Sequence, residues 1–259
     1  MQQNKNCWII GCSSGIGKEL AIKLYSAGYN ICLSARNKTE LLLLKQQLQL
    51  LQFSNTVEVI ECDVSNSTSF DLAFNEVLKK FSHLDLAIFA SGTYQPTSLA
   101  NFSTETATQI INTNLLGVVY FFASVGKKML IQKHGHLAVI SSVAGYFGMP
   151  QSGAYGASKA GLINLCQGFY PELLANKVHL SIINPGFVES KLTAKNNFAM
   201  PNIISAKKAA EYIFDGLQKK QFEIHFPKKF TLLLKFLNIL PYFLLLPIIK
   251  RLYQNNKNL

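Results

Sequence analysis

The stretch "CWIIGCSSGIGKELAIKL", residues 7–24, joins a short apolar run to a glycine-rich turn and then to a helix-like sequence. Its three glycines follow the spacing G-x-x-x-G-x-G. Glycine permits a tight turn and lets a pyrophosphate approach the backbone amides at a helix N-terminus. Such a turn directly after a first strand predicts a nucleotide-binding unit. The residues expected to line it are Gly11, Ser13, Ser14, Gly15, Ile16 and Gly17.

The rest of the chain alternates short apolar runs with longer helix-like stretches. The apolar runs are 7–10, 30–34, 57–61, 85–89, 136–141, 178–184 and 222–226. The helix-like stretches are 15–28, 38–53, 66–81, 104–133, 153–176 and 205–220. This alternation predicts the α/β class, with a doubly wound parallel sheet covered by helices on both faces. We predict one dinucleotide-binding catalytic domain at 1–225, followed by a basic, apolar extension at 226–259.

Composition limits the class of protein further. Hydrophobic residues make up 49% of the 259-residue chain and charged residues 15%, which favours a large buried core over disorder. The five cysteines form no C-x-x-C pair, so we expect reduced core thiols in a cytoplasmic protein. His134 and His136 have no cysteine or carboxylate cluster beside them, so we expect no metal. The polar start and the short run after it predict no signal peptide.

Positive charge is concentrated near the C-terminus. Residues 1–190 contain 13 Lys+Arg and 11 Asp+Glu, a net +2, whereas residues 191–259 contain 12 and 3, a net +9. A basic region of this kind favours phosphates, whether of lipid, nucleic acid or a nucleotide.

The end of the second apolar run, "ICLSARN", indicates which nucleotide binds. Folds that prefer NAD usually place a carboxylate here to bind the ribose 2′-hydroxyl, but this chain has Ala35 and Arg36. A guanidinium can bind a 2′-phosphate through charge-assisted hydrogen bonds. The sequence therefore predicts NADP(H), the alternative being that Arg36 is a solvated surface residue.

Two further turns are expected at the same site. In "ECDVSN", after the third run, Asp63 either caps the next helix or meets an adenine edge. In "FASGTY", after the fourth run, small residues let the chain pass close to a cofactor.

A tyrosine and a lysine stand among small residues in "SSVAGYFGMPQSGAYGASKAG", 141–161. Tyr155 and Lys159 share a face if this segment is helical. A free tyrosine has a pKa near 10, and lowering it by about 3 units needs about 4 kcal/mol from neighbouring charges. Ser142 could hydrogen-bond a carbonyl oxygen beside the phenol. Alone, the Tyr–Lys pair is also common on ordinary helix surfaces.

At this point the sequence closely resembles the short-chain dehydrogenase/reductase family. The matching motifs are "GCSSGIG", "CDV", "NLLG" at 114–117, Ser142, "YGASK" at 155–159 and "PGFVES" at 185–190. The resemblance implies a Rossmann fold, a nicotinamide cofactor and interconversion of a carbonyl with an alcohol. The Ala35-Arg36 pair is similar to the NADP-preferring pattern of that family.

The resemblance also implies a role for each residue. Tyr155 would be the acid/base and Ser142 would hold the substrate oxygen. Lys159 would bind the nicotinamide ribose and lower the pKa of Tyr155, and Asn114 would hold a water for a proton relay. The remaining cofactor contacts would be Arg36, Asp63, Val64, Ala90, Gly92, Pro185, Gly186, Val188 and Ser190. The chain departs from the family where Ile10 replaces a frequent threonine and where "FASG", 89–92, replaces the usual N-N-A-G.

The segment 226–254, "FPKKFTLLLKFLNILPYFLLLPIIKRLYQ", differs from the rest of the chain. Its polar or amphipathic residues recur every three or four positions and form a narrow stripe on an apolar helix. These residues are Lys228, Thr231, Lys235, Asn238 and Tyr242. We expect an interfacial helix binding a membrane surface through 228–251, with soluble packing or a membrane span as alternatives.

The sequence leaves competing functions. The main prediction is NADPH-dependent reduction of a small-molecule carbonyl, which the apolar C-terminus suggests is lipophilic, or the reverse oxidation. The alternative is a non-catalytic NADP-binding scaffold at a membrane surface, although such a protein would be expected to lose Tyr155 or Lys159. Nucleic acid is not an expected partner because the C-terminal basic residues alternate with aliphatic runs. We also expect a cytoplasmic homo-oligomer, with membrane association on the cytoplasmic face.

Overall fold

The computed structural model describes residues 5–196, 198 and 200–257, and contains a seven-stranded parallel sheet. Its strands are β1 Asn6–Ile10, β2 Asn30–Ser34, β3 Val57–Val59, β4 Leu86–Phe89, β5 Gly135–Ile140, β6 Val178–Pro185 and β7 Glu223–Phe226. Each lies within a residue or two of a predicted apolar run. The strand order is β3-β2-β1-β4-β5-β6-β7, which confirms the doubly wound Rossmann-like prediction.

Helices connect the strands and cover both faces of the sheet. They are α1 Gly15–Ser26, α2 Lys38–Gln49, α3 Ser67–Lys80, α4 Thr104–Gln132, α5 Gly153–Ala175 and α6 Ala206–Gln218, followed by α7 Lys228–Asn238 and α8 Tyr242–Lys257. The side chains of α1, α2 and α6 build one apolar core and those of α3, α4 and α5 build the other. Strands buried on both faces explain their nearly continuous apolar sequences.

Helix α4 is long and apolar enough to cross a membrane, and among the described residues it is the one helix that is. Its apolar side chains Val118, Phe121 and Val125 are fully buried in the second core. Helix α4 is therefore a core helix of the sheet domain. Its two π-helical turns, at Asn112–Leu116 and Phe122–Gly126, were not predicted from the sequence.

The C-terminal segment forms two helices separated by a break before Pro241, whereas Pro247 lies inside α8. Two members of the predicted polar stripe, Thr231 and Lys235, face the protein, whereas Lys228 and Asn238 are exposed. Thr231 is fully buried and hydrogen-bonds His225, and Lys235 pairs with Glu223 on β7. Thr231 and Lys235 therefore find partners on the sheet, while the expected binding of 228–251 to a membrane surface stays a prediction. The domain boundary near residue 226 stays a prediction.

Candidate active site

The glycine turn brings two strand ends close together. Gly11 has a φ of +89°, and a Cβ there would lie 2.4 Å from the backbone nitrogen of Ser91. Only glycine permits this approach between the turn after β1 and the turn after β4. Helix α1 begins at Gly15, and the Ser14 side chain makes no capping hydrogen bond to it. The first amides of α1 therefore point to the edge of the sheet where a phosphate can be received.

The turns that follow the strands line one open cleft at the carboxyl edge of the sheet. The predicted residues that line it are Gly11, Ser13, Ser14, Gly15, Ile16, Gly17, Arg36, Val64, Ala90, Gly92, Ser142, Tyr155, Lys159, Pro185, Gly186, Val188 and Ser190. Residues not predicted, but also in its lining, are Ala35, Asn37, Cys62, Ser91, Thr113, Ile140, Ser141, Lys191, Leu192 and Thr193. Asp63 and Asn114 are absent from this lining. The fold thus gathers residues from six separate turns into one groove.

Tyr155 and Lys159 project from the first turns of α5 into this cleft, as their spacing predicts. The Lys159 ammonium lies 5.7 Å from the centre of the Tyr155 ring and donates a 2.9 Å hydrogen bond to the carbonyl oxygen of Ile140. Lys159 is only 3% exposed. The carbonyl at the end of β5 therefore fixes the lysine head group beside the phenol.

Burial shifts the pKa values of both groups. It lowers the pKa of Lys159 to about 7, because a buried ammonium loses its hydration. It also raises the pKa of Tyr155, although a hydrogen bond with Ser142 acts in the opposite direction. The expected lowering of the Tyr155 pKa is therefore wrong for the protein alone, where desolvation of the phenolate outweighs the neighbouring groups.

The turn after β5 holds Ser142 next to the tyrosine. Ser142 begins the short 3₁₀ turn Val143–Gly145, and its hydroxyl accepts a 3.1 Å hydrogen bond from the Ala144 amide. A Cβ at Gly145 would lie 2.7 Å from the carbonyl carbon and oxygen of Lys159. The small residues of this stretch therefore let the turn pack directly on α5, which brings serine, tyrosine and lysine together.

Asn114 lies behind the cleft in the first π-helical turn of α4, and is fully buried. Its amide group donates to the Thr93 carbonyl at 2.9 Å and to the Ser158 hydroxyl at 3.1 Å, while its oxygen accepts from the Thr93 amide at 2.8 Å. These bonds tie α4 to the turn after β4 and to α5. The water-holding role of Asn114 stays a prediction.

Arg36 and Asp63 lie on neighbouring turns. Arg36 is exposed and lines the cleft. The Asp63 carboxylate accepts two hydrogen bonds from Ser65, at 3.0 Å from its amide and 2.7 Å from its hydroxyl. Burial acts to raise the pKa of Asp63, but the Ser65 hydrogen bonds and the Arg36 charge bring it below its ordinary value. Asp63 does not cap the next helix; Asn66 does, by accepting from the Ser69 amide.

Sequence reasoning missed Tyr94, although the quoted motif "FASGTY" ends on it. Its buried ring packs edge to face against Tyr155, with the ring centres 4.9 Å apart. The Lys195 ammonium donates a 2.8 Å hydrogen bond to the Tyr94 carbonyl. This bond connects the segment after β6 to the turn after β4, so that the two walls of the cleft are joined next to the tyrosine. No local pattern in the sequence indicated a contact across 101 positions.

Comparison with known proteins places this geometry in a family. Residues 5–200 match the family model for short chain dehydrogenase. An uncharacterized oxidoreductase of Myxococcus xanthus is 31% identical over 233 residues, covering 90% of this chain and 91% of the relative. An uncharacterized oxidoreductase of Staphylococcus aureus is 30% identical over 189 residues, covering 73% and 80%.

Solved structures share the fold at lower identity. A short-chain dehydrogenase from Sphingobium yanoikuyae in complex with NADPH has a TM-score of 0.79 at 21% identity, covering 86% of this chain and 88% of that one. A short-chain dehydrogenase/reductase from Burkholderia phymatum in complex with NAD has a TM-score of 0.78 at 22% identity, covering 90% and 92%. The family match covers most of the sheet domain and includes the turns that line the cleft. This chain belongs to the short-chain dehydrogenase family of oxidoreductases.

Proposed function

We propose that this protein is an NADP(H)-dependent oxidoreductase that reduces a lipophilic ketone or aldehyde to an alcohol. The observation that carries the proposal is the joint placement of Ser142, Tyr155 and Lys159 in the cleft whose other end is the glycine turn. Reduced nicotinamide bound in that cleft supplies a hydride. The side chains of this protein have to bind the dinucleotide, hold the carbonyl and provide a proton.

The cleft has the donors that an NADP(H) molecule needs. The α1 N-terminus and the hydroxyls of Ser13 and Ser14 suit a pyrophosphate. Arg36 lines the far end with an exposed guanidinium and suits a 2′-phosphate. An alcohol dehydrogenase from Thermococcus sibiricus complexed with 5-hydroxy-NADP has the same fold at a TM-score of 0.78 and 24% identity, covering 86% of this chain and 96% of that one. Because related folds hold NAD as well, the preference for NADP(H) rests on Arg36.

The proton step is assigned to Tyr155. The Ser142 hydroxyl and the Tyr155 phenol can both hydrogen-bond one carbonyl oxygen, which polarises the carbonyl and positions its carbon. Tyr155 then gives its proton to the developing alkoxide. Lys159 lies beside the phenol and can take part in replacing that proton, in a relay that includes a ribose hydroxyl and a water near Asn114.

The protonation state of Tyr155 suits the reductive half of the proposed reaction. Reduction requires a phenol that carries its proton at neutral pH. Burial raises the pKa of Tyr155, which keeps the phenol protonated before substrate binds. We propose reduction as the direction in which Tyr155 starts with the proton that it donates, and the same groups would serve the reverse oxidation. The presence of all these groups in one cleft argues against the non-catalytic scaffold.

We propose that the protein is a cytoplasmic homo-oligomer, attached to the cytoplasmic face of a membrane through 228–251. An apolar groove between α4 and α5 supports self-association, since Phe122, Leu130 and Phe169 line it. The exposed apolar side chains of α7 and α8 support membrane attachment and an apolar substrate. The division into an 11-residue α7 and a 16-residue α8 favours a helix pair on the surface over a membrane span.

The decisive experiment follows the oxidation of NADPH by its loss of absorbance at about 340 nm. It is run over a panel of ketones and aldehydes of increasing chain length. We expect turnover with at least one apolar carbonyl, and lower kcat/KM with NADH than with NADPH. The absence of NADPH oxidation with every carbonyl, together with normal NADPH binding, would refute the catalytic proposal. Preference for NADH in the wild-type protein would refute the cofactor proposal.

A further inference from the structure

The outer surface of α7 and α8 carries the densest set of exposed large apolar side chains in the described chain. Eight of them are between 46% and 77% exposed: Leu232, Leu233, Phe236, Ile239, Tyr242, Phe243, Leu244 and Leu246. We call this set the apolar face. In α7 its members recur at helical spacing, so they share one side of the helix. A soluble monomer rarely leaves so many large apolar side chains, close together in sequence, exposed to water.

The charge around the apolar face is of one sign. Residues 226–259 contain six Lys+Arg and no Asp or Glu. Lys228 and Lys229 stand exposed at the start of α7, and Lys250 and Arg251 are exposed on α8. A second copy of this chain would bring positive charge against positive charge, which disfavours self-association through this face. Anionic phospholipid matches both the apolar and the basic parts.

The inner surface of α7 contacts the candidate active site. The Phe230 ring packs on Phe187, with ring centres 5.8 Å apart. A Cβ at Gly186 would lie 3.0 Å from Cδ1 of Phe230. Gly186 lines the cleft. Helix α7 is therefore a layer one helix thick, about 10 Å, between the wall of the cleft and whatever covers the apolar face.

A polar network makes a second connection. Glu223 on β7 forms an ion pair with Lys235 of α7 and accepts a 2.7 Å hydrogen bond from the Tyr146 hydroxyl. Tyr146 directly follows the 3₁₀ turn that begins at Ser142. The Asn184 amide also donates to Glu223, at 2.9 Å. The inner face of α7 thus packs on the cleft wall at Gly186 through Phe230, and Lys235 links it through Glu223 to Tyr146, next to the Ser142 turn.

We propose that the apolar face docks on an anionic membrane and that the carbonyl substrate reaches the cleft from the lipid phase. The delivery of substrate from the lipid phase rests on the proposed reductase function. Docking places the wall containing Gly186 within one helix thickness of the bilayer surface. A lipophilic carbonyl concentrates in that bilayer, so that the enzyme meets it there at a far higher local concentration than in water.

The docking test uses the full-length protein and flotation with vesicles of phosphatidylcholine, with or without phosphatidylserine. The test variant carries Phe236→Asp and Phe243→Asp, at side chains 59% and 75% exposed. The control carries Leu50→Asp, directly after α2, and Leu72→Asp, on α3, at side chains 80% and 63% exposed. Both doubles change the net charge equally, and their thermal unfolding is compared to establish that both fold.

We expect the wild-type protein and the control to float with phosphatidylserine vesicles and to bind pure phosphatidylcholine more weakly. The test variant should lose at least about tenfold in vesicle affinity, because two aromatic side chains no longer enter the lipid. Wild-type protein that stays in the aqueous fraction overturns docking, as does equal flotation of test variant and control. If the apolar face binds another protein and not lipid, the wild-type protein will stay in the aqueous fraction.

The delivery test compares 2-butanone in water with 2-dodecanone in phosphatidylserine vesicles. We expect the test variant to lose at least about tenfold in the rate on vesicle-borne 2-dodecanone relative to the control, and to match it on 2-butanone. Equal rates on the vesicle-borne ketone overturn delivery from lipid. If no protein oxidises NADPH with any carbonyl while flotation persists, the reductase function fails and membrane docking stands.

Discussion

The ammonium nitrogen of Lys159 lies 5.7 Å from the centre of the Tyr155 ring and hydrogen-bonds the carbonyl oxygen of Ile140. This bond comes from the last residue of β5, so the sheet itself sets the position of the lysine. Lys159 is buried, its hydrogen-bond acceptor is a neutral backbone carbonyl, and the described contacts give it no ion pair with a carboxylate. Holding the Lys159 ammonium charge in this buried position therefore lowers the stability of the folded protein.

Replacing Lys159 with methionine should stabilise the fold in a pH-dependent way. Because the pKa of Lys159 falls to about 7 in the folded protein, the unfolded chain binds more protons between that pH and about 10.4. The penalty is therefore complete below pH ~7 and shrinks as the pH rises. We expect the gain in unfolding free energy to be larger at pH ~6 than at pH ~9 by ~2 kcal/mol, measured by urea unfolding.

The matched control is Lys127→Met on the exposed side of α4. Its effect on the free energy of unfolding should not change between the two pH values. An equal effect of pH on both variants would mean that Lys159 carries no special desolvation penalty.

Replacing Tyr155 with phenylalanine tests the proton donor. The ring keeps its packing on Tyr94, so the cleft should retain its shape and its affinity for NADPH. Loss of the acid should lower kcat by about 10² to 10⁴-fold. NADPH binding is followed by calorimetry and turnover by NADPH oxidation. Tyr120→Phe, on α4 away from the cleft, serves as the control, and substantial turnover in the Tyr155 variant would remove this residue from the mechanism.

Arg36→Asp tests the basis of cofactor choice. A carboxylate in the place of the guanidinium repels a 2′-phosphate and suits a 2′-hydroxyl. We expect kcat/KM with NADPH to fall by at least about tenfold, while kcat/KM with NADH stays equal or rises. Lys38→Asp is the matched control, since Lys38 is an exposed cation two positions away that is absent from the cleft lining. Equal losses in both variants would indicate a general charge effect with no specific phosphate contact.

Gly145→Ala tests the contact between the Ser142 turn and α5. The new Cβ would lie 2.7 Å from the backbone of Lys159, so either the turn or the helix has to move. We expect a loss of ~1–3 kcal/mol in unfolding free energy and a clear fall in kcat. Gly168→Ala on the same helix has no atom within 4 Å of its new Cβ, and should be neutral or stabilising by up to ~1 kcal/mol. Similar effects of the two substitutions would contradict the close-packing argument.

The strands and most helices of the sheet domain were predictable because their signals are local. Alternating apolar runs and helix-length stretches fixed the order of elements, and parallel strands put their carboxyl ends at one edge. The glycine turn, Ser142, Tyr155 and Lys159 then had to meet at that edge. The role of Asp63 could not be predicted in this way. A carboxylate in a turn can cap a helix, bind a ligand or hydrogen-bond a neighbouring residue, and Asp63 hydrogen-bonds Ser65.

The amino-acid sequence by itself determined the doubly wound sheet, the nucleotide turn and the shared face of Tyr155 and Lys159, because each depends on short-range spacing. Only the tertiary structure decided the sign of the Tyr155 pKa shift, the contact of Tyr94 with Tyr155 and the inward orientation of Thr231 and Lys235 on α7. These depend on burial and on partners distant in the chain: Glu223 turns Lys235 toward the sheet, and the apolar side of α7 is left facing outward.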